Sequence, residues 1–152
     1  MAADDAVYPL DQTVRTLESA GTSISDGGFQ ACSTALTEAQ IAGRPYGLVK
    51  FKTASGGFSG APSVGNTLVL LERRTDGTDQ EPVPDANYFQ HVLCTWTLDA
   101  ADAQQTVYAL VPLWPMGATY YLYWKDGGTG TVSIDANWTL SIEPVTYGPS
   151  AS

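Results

Sequence analysis

Positive charge is scarce in this sequence. Seven lysines and arginines stand against sixteen aspartates and glutamates, for a formal net charge of −9. Nucleic-acid binding needs clustered cations that displace counterions from phosphates, so a nucleic-acid partner is not expected. Histidine occurs once, at His91, and there is no Cys/His cluster of the kind that holds zinc. Cysteine occurs twice, at Cys32 and Cys94, far apart in the chain. Two free thiols are expected rather than a bridge. No apolar run approaches the length of a membrane span. The opening Met-Ala-Ala-Asp-Asp has neither the basic start nor the apolar stretch of a secretory signal. The expectation is synthesis in a cytoplasm, without export and without a membrane partner.

Glycine, proline and aromatics are plentiful. Fifteen glycines and nine prolines punctuate apolar runs, in a chain that is 43% hydrophobic and only 15% charged. That spacing predicts many short strands in one domain large enough to bury its own core. The stretch from Thr106 to Ile142 organises the rest: three β-rich runs, divided by a Pro/Gly corner and by Asp126 to Gly130. Period-two alternation places Tyr120, Leu122 and Trp124 on one face of the middle run, with Tyr121 and Tyr123 on the other. Trp138, Leu140 and Ile142 share a face of the last run. The Asp-Gly and Gly-Gly pairs predict a reversal between antiparallel neighbours, and so a three-stranded meander.

Residues 1–26 read as an N-terminal arm or edge strand, and residues 27–152 as a single β-sandwich domain. Phe29 to Leu36 predicts a strand. Thr37 to Ala42 predicts a turn of helix, capped by Thr37 with Gln40 three residues on. Tyr46 to Ala54 alternates, with Val49, Phe51 and Thr53 opposite Leu48, Lys50 and Lys52, as a half-solvated strand does. Gly56 to Asn66 reads as a flexible loop around Phe58, and residues 75–85 as a long acidic loop. Thr67 to Arg74 and Asn87 to Leu98 predict two further strands. The fold class expected is all-β: an antiparallel, jelly-roll-like β-sandwich with an extended N-terminal arm.

Chemistry is thinly marked. His91 lies in a strand pattern with no nucleophile or orienting partner beside it in sequence. Ser59 lacks the Gly-x-Ser-x-Gly elbow that would activate it. Asp76, Asp79, Glu81 and Asp85 could offer oxygen ligands to calcium, but the twelve-residue calcium-loop pattern is missing, and a solvated acidic loop is the expectation. No enzyme activity, cofactor or metal is expected. The aromatics say more, because Tyr and Trp serve protein interfaces and sugar platforms as well as cores. Trp124 and Trp138 are assigned to the core. Trp114, braced by Pro112 and Pro115 and followed by Met116, reads as a contact point.

Several of these turns and strands together resemble a known family. Phe58-Ser-Gly-Ala-Pro62, followed by Gly65-Asn-Thr-Leu-Val-Leu-Leu-Glu-Arg-Arg-Thr-Asp-Gly77, is similar to small tailed-bacteriophage virion proteins of the head-decoration, or cement, type. There a "fsaaP" loop leads into a strand and an Asp-Gly loop. Val111-Pro112-Leu113-Trp114-Pro115 resembles their "IPLPP" corner, with Trp114 in place of a proline. Tyr121 to Asp126 and Asn137-Trp138-Thr139-Leu140 resemble the approach to their closing "gwtL" strand. The resemblance spans about the last two-thirds of the chain. It implies a jelly-roll-like sandwich on the capsid surface of a virion, synthesised in the host cytoplasm. Such a protein binds the major capsid protein, associates with itself as a homotrimer, and reinforces the shell. Val7, Tyr8 and Leu10 of the arm, Phe58, and the corner residues Trp114, Pro115 and Met116 are then the candidate partner-binding residues. The alternative is a carbohydrate-binding β-sandwich module or a phage fibre domain that uses exposed aromatics.

Overall fold

The computed structural model describes residues 7–10, 13–128 and 131–149; the side chains of 7–10 and 147–149 lie outside that description. The chain forms β1 (Val7–Leu10), β2 (Arg15–Glu18), β3 (Gly28–Ala31), the short helix α1 (Glu38–Ile41), β4 (Tyr46–Lys52), β5 (Thr67–Thr75), β6 (Val92–Trp96), β7 (Thr106–Pro112), β8 (Gly117–Lys125) and β9 (Thr139–Pro149). Two antiparallel sheets result. The first runs β1-β9-β4-β7, with β2 also on β9; the second runs β3-β8-β5-β6. From β2 onward the chain changes sheet at every connection except β5 to β6. This is a jelly-roll-like β-sandwich.

The alternation places the core as the sequence predicts. Tyr120, Leu122 and Trp124 of β8 pack with Leu68 and Leu70 of β5 against Val49, Phe51, Leu140 and Ile142 of the first sheet. Phe51 links Trp96 and Trp138, with ring centroids 6.2 and 5.9 Å away. Each fully buried Leu, Val or Phe contributes about 1.5–3 kcal/mol of transfer free energy. The buried tryptophans also need a partner for their N–H. Trp124 donates to the Val132 carbonyl at 2.7 Å, Trp138 to Thr22 at 2.7 Å, and Trp96 to Tyr108 at 3.0 Å. The helix is capped as expected: Thr37 Oγ1 accepts from the Gln40 N–H, and the Gln40 side chain accepts from the Thr37 N–H.

Three expectations are corrected. There is no meander, because β7 pairs with β4, β8 with β3 and β5, and β9 with β1, β2 and β4. Alternation specifies which face of a strand is buried but not which strand lies beside it. The Pro112–Pro115 corner, anchored by buried Leu113, carries the chain to the opposite sheet instead of back along its own. Nor does Asp126 open a hairpin. Its carboxylate is fully buried and accepts from the Ser63 and Val132 N–H groups, at 2.7 and 3.0 Å. The connection to β9 therefore wraps inward and places Ile134 in bridges with Ile24 and Phe58. Third, β6 is shorter than Asn87 to Leu98, and β3 shorter than Phe29 to Leu36. His91 has φ of 53°, outside strand geometry, so the ladder starts at Val92.

The segment before β3 is stitched to the sandwich. β1 pairs with the far end of β9 and β2 with its near part. Leu17 and Ile24 are in the core. The loop from Gly56 to Asn66 is pinned as well. Phe58 is buried against Trp124 at 5.7 Å, and buried Asn66 bonds the Leu98 carbonyl and N–H.

Candidate functional site

The two outer sheet faces differ. On the second sheet, Val69, Leu71 and Tyr121 point outward yet are buried, packed with Phe29, Ala31 and Tyr123. The chain between β5 and β6 supplies Phe89, whose ring meets Phe29 at 5.9 Å and Tyr123 at 5.3 Å. That outer face is partly covered by the protein itself, with Phe89 still 40% exposed beside Phe29 and Tyr123 at an open cleft.

The outer face of β4 and β7 carries large apolar groups and stays open. Tyr46 is 42% exposed, Leu48 42%, Tyr108 60% and Leu110 57%. The register sets Leu48 directly opposite Leu110, Tyr46 opposite Pro112, and Lys50 opposite Tyr108. On the other side of β4, Glu143 of β9 lies beside Leu48, and Ser141 beside Lys50. Neither Lys50 nor Lys52 forms an ion pair among the described residues. The free edge of β7 is blunted. Trp96 occupies the Tyr108 carbonyl, and Pro112 has no N–H to offer.

The Trp114 corner continues from the end of this face. Leu113 donates its N–H to the Pro45 carbonyl at 2.9 Å, and the Met116 N–H turns back to Trp114 at 2.8 Å. Trp114 is 54% exposed and one side of its ring holds Arg74, whose guanidinium carbon is 4.3 Å from the centroid. Arg74 is tied through Nε to buried Glu72 at 2.5 Å. Burial pushes the Glu72 carboxyl above its usual range, against the opposing pull of Arg74. Tyr120, opposite Glu72 on β8, has a buried hydroxyl with no hydrogen-bond partner among the described residues, and burial raises its pKa with help from Glu72. Trp114, Met116, Arg74 and the acidic loop line an open cleft of about 350 Å³.

Three carboxylates of the acidic loop are engaged with nearby groups. Asp76 accepts from the Thr78 and Asp79 N–H groups, both at 2.8 Å, which hold it below the usual carboxylate range. Glu81 accepts from the Arg74 N–H at 2.8 Å and meets His91 Nε2 at 2.6 Å. Asp85 accepts from Asn87 and Tyr88. Among the described residues no three His, Cys, Asp or Glu side chains gather as metal ligands would. Ser59 Oγ accepts from the Ser133 N–H and so serves the loop.

Of the residues singled out in the sequence, Trp114, Pro115 and Met116 stand together at the corner, with Pro115 lining a second shallow cleft beside Ile41 and Arg44. Phe58 is corrected: at 3% exposure it is a core residue, because its loop folds inward over Trp124. The side chains of Val7, Tyr8 and Leu10 lie outside the described residues. Tyr46, Leu48, Tyr108 and Leu110 were not singled out. The alternation of β4 already set Leu48 on the solvated face beside two lysines, which was the available signal. In β7 every residue from Val107 to Val111 is apolar, so no pattern told the inward side from the outward.

No family model and no curated protein matches the sequence. Among solved structures, one similar fold is the carbohydrate-binding module CBM6cm-2 from Cellvibrio mixtus lichenase 5A, in complex with cellotriose. It is 14% identical, covering 91% of this chain and 95% of that one, with a TM-score of 0.47. The C-terminal CBM6 of LamC, a marine laminarinase from Zobellia galactanivorans, is 12% identical over 92% of this chain and 99% of that one, with a TM-score of 0.44. The structure of infectious bursal disease virus Gt strain is 12% identical over 99% of this chain and 39% of that one, with a TM-score of 0.29.

Proposed function

We propose that this protein is a non-enzymatic virion protein of a tailed bacteriophage, a cement that binds the major capsid protein on the head surface as a homotrimer. The observation that carries the reading is the outer face of β4 and β7, where Leu48, Tyr108 and Leu110 stand side by side, each 42–60% exposed. The family resemblance supplies the identity of the partner. A seven-residue strand is roughly 24 Å long, and two strands side by side are roughly 10 Å wide, so the face offers about 240 Å². It is less than half the roughly 800 Å² that each partner gives to a standard interface. The Trp114 corner, adjoining it, extends the contact.

The mechanism is area repeated over copies. A subunit that bridges neighbouring shell proteins makes their separation cost its own buried interface, and repetition turns modest single-site affinity into a strong constraint. The test is to measure the copy number of this chain in purified virions, and to add the protein to shells that lack it. Hundreds of copies and saturable binding are expected. A handful of copies, or none, overturns the reading. Sedimentation equilibrium reads the trimer separately, and a 16.1 kDa species at all concentrations overturns that part.

A second reading, a sugar-binding module, is favoured by the cleft that joins Trp114 to the carboxylate-bearing loop. Aromatic stacking with polar groups around it is the chemistry that grips a sugar ring. Arg74 already occupies one side of that ring, which is why this reading stands second. Quenching or enhancement of tryptophan fluorescence by soluble oligosaccharides, abolished in Trp114→Ala, would move it to first.

A further inference from the structure

The open face is not uniformly apolar, and its polar part specifies what it meets. Along β4 the outward side chains run Tyr46, Leu48, Lys50 and Lys52, and along β7 they run Pro112, Leu110, Tyr108 and Thr106 in the opposing positions. One half is therefore apolar and the other half cationic. This is a −9 chain with seven cations in all. Arg73 and Arg74 are tied to Glu81 and Glu72, and Lys125 to Asp26 at 3.0 Å. Lys50 and Lys52 are spent on no such partner among the described residues. Among the described residues the one carboxylate on the same face, Glu143, lies beside Leu48, one row away from Lys50, and forms no ion pair with it.

Resting on the cement reading, we infer that the shell surface under this face presents carboxylates opposite Lys50 and Lys52, and apolar side chains opposite Leu48 and Leu110. Two considerations lead there. Covering the lysines with an apolar or cationic surface would strand two desolvated charges, whereas carboxylates pair them. The partner also has to approach a protein of strongly negative net charge, and this face is where local positive charge offsets that repulsion. The apolar half then supplies the salt-independent part of the affinity. The lysine half supplies orientation and a salt-dependent part.

The experiment uses the full chain and phage shells lacking it. Lys50→Met/Lys52→Met keeps the aliphatic stems and removes both charges. Val64→Glu/Gln90→Glu, at exposed positions away from this face, has the same net charge and serves as control. Leu110→Ser probes the apolar half, and near-ultraviolet circular dichroism checks that each variant is folded. The lysine variant is expected to bind about 10- to 100-fold more weakly than the control at low salt, with the gap closing near 1 M salt. Leu110→Ser is expected to weaken binding similarly at every salt concentration. A lysine variant that binds like the control, while Leu110→Ser fails, overturns the acidic-partner inference and leaves the cement reading standing. Wild type that does not bind shells overturns both. A wild-type oligomer that the lysine variant turns into monomers assigns the face to a second copy of this chain, and overturns the inference.

Discussion

The guanidinium carbon of Arg74 sits 4.3 Å from the centroid of the Trp114 ring, and Arg74 is itself fastened to buried Glu72 at 2.5 Å. A cation over an indole face contributes about 0.5–2 kcal/mol, more as water is excluded. Here it also restrains a ring at an exposed corner, which lowers the ordering cost of any contact made there.

Removing that cation should make stability more strongly pH-dependent. The folded pKa of Glu72 is raised above its unfolded value of 4.5 by burial. The folded state thus keeps the proton to higher pH than the unfolded chain, and stability from this group falls as pH rises through the folded value. Arg74→Met takes away the partner that opposes this. It is expected to cost about 1–3 kcal/mol at pH 8 and clearly less at pH 5. Urea unfolding at the two pH values checks it, and an equal loss at both would refute the linkage.

Glu18 should show the opposite sign. Its burial works against ionisation, but the Ala20, Ser33 and Ser19 N–H groups, at 2.9–3.1 Å, outweigh it and hold the carboxyl below its usual value. The stabilisation is fully present above the unfolded pKa of 4.5 and is lost as pH falls through the folded one. Glu18→Gln is expected to flatten the decline in melting temperature between pH 6 and pH 3. A decline as steep as that of the wild type would show that the clamp is not what titrates.

A glycine at position 21 is required by close approach rather than by backbone angle. A Cβ there would stand 1.9 Å from the Trp138 ring, which is fully buried and also bonds Thr22 through its N–H. Gly21→Ala is expected to cost more than about 2 kcal/mol through overpacking. Gly60→Ala, whose Cβ meets only Val132 at 3.8 Å, is expected to cost nothing measurable. Chemical denaturation of the pair decides.

Both cysteines are free thiols, Cys32 buried and Cys94 half-buried. Burial pushes the Cys94 thiol up to about 12 and Cys32 higher still, so neither holds thiolate at neutral pH. Thiol titration is expected to find two groups in denatured, unreduced protein and almost none reacting in the native state. Fast native reaction at either site would contradict the packing around it.

What could be read in the sequence were features with a local cause. Period two in β4, β8 and β9 told inward from outward, because successive side chains must point to opposite faces. Thr37 and Gln40 announced their helix, because a capping box is closed within four residues. Where alternation vanished, as in Val107 to Val111, the outward Tyr108 and Leu110 could not be told from core. Phe58 was misread for a related reason: a Gly-rich loop carries no periodicity, and only its inward fold over Trp124 buries the ring.

The sequence by itself therefore determined the strand content, most of the core and the surplus of carboxylates, all of which follow from composition and near-neighbour geometry. Tertiary structure alone decided the rest. It set β7 and β8 in different sheets, laid Phe89 of the β5–β6 connection against Phe29 and Tyr123, and brought Arg74 over Trp114. The physical reason is that strand pairing and burial between distant segments are settled by competition among all the apolar faces at once, and no window of the chain contains that competition.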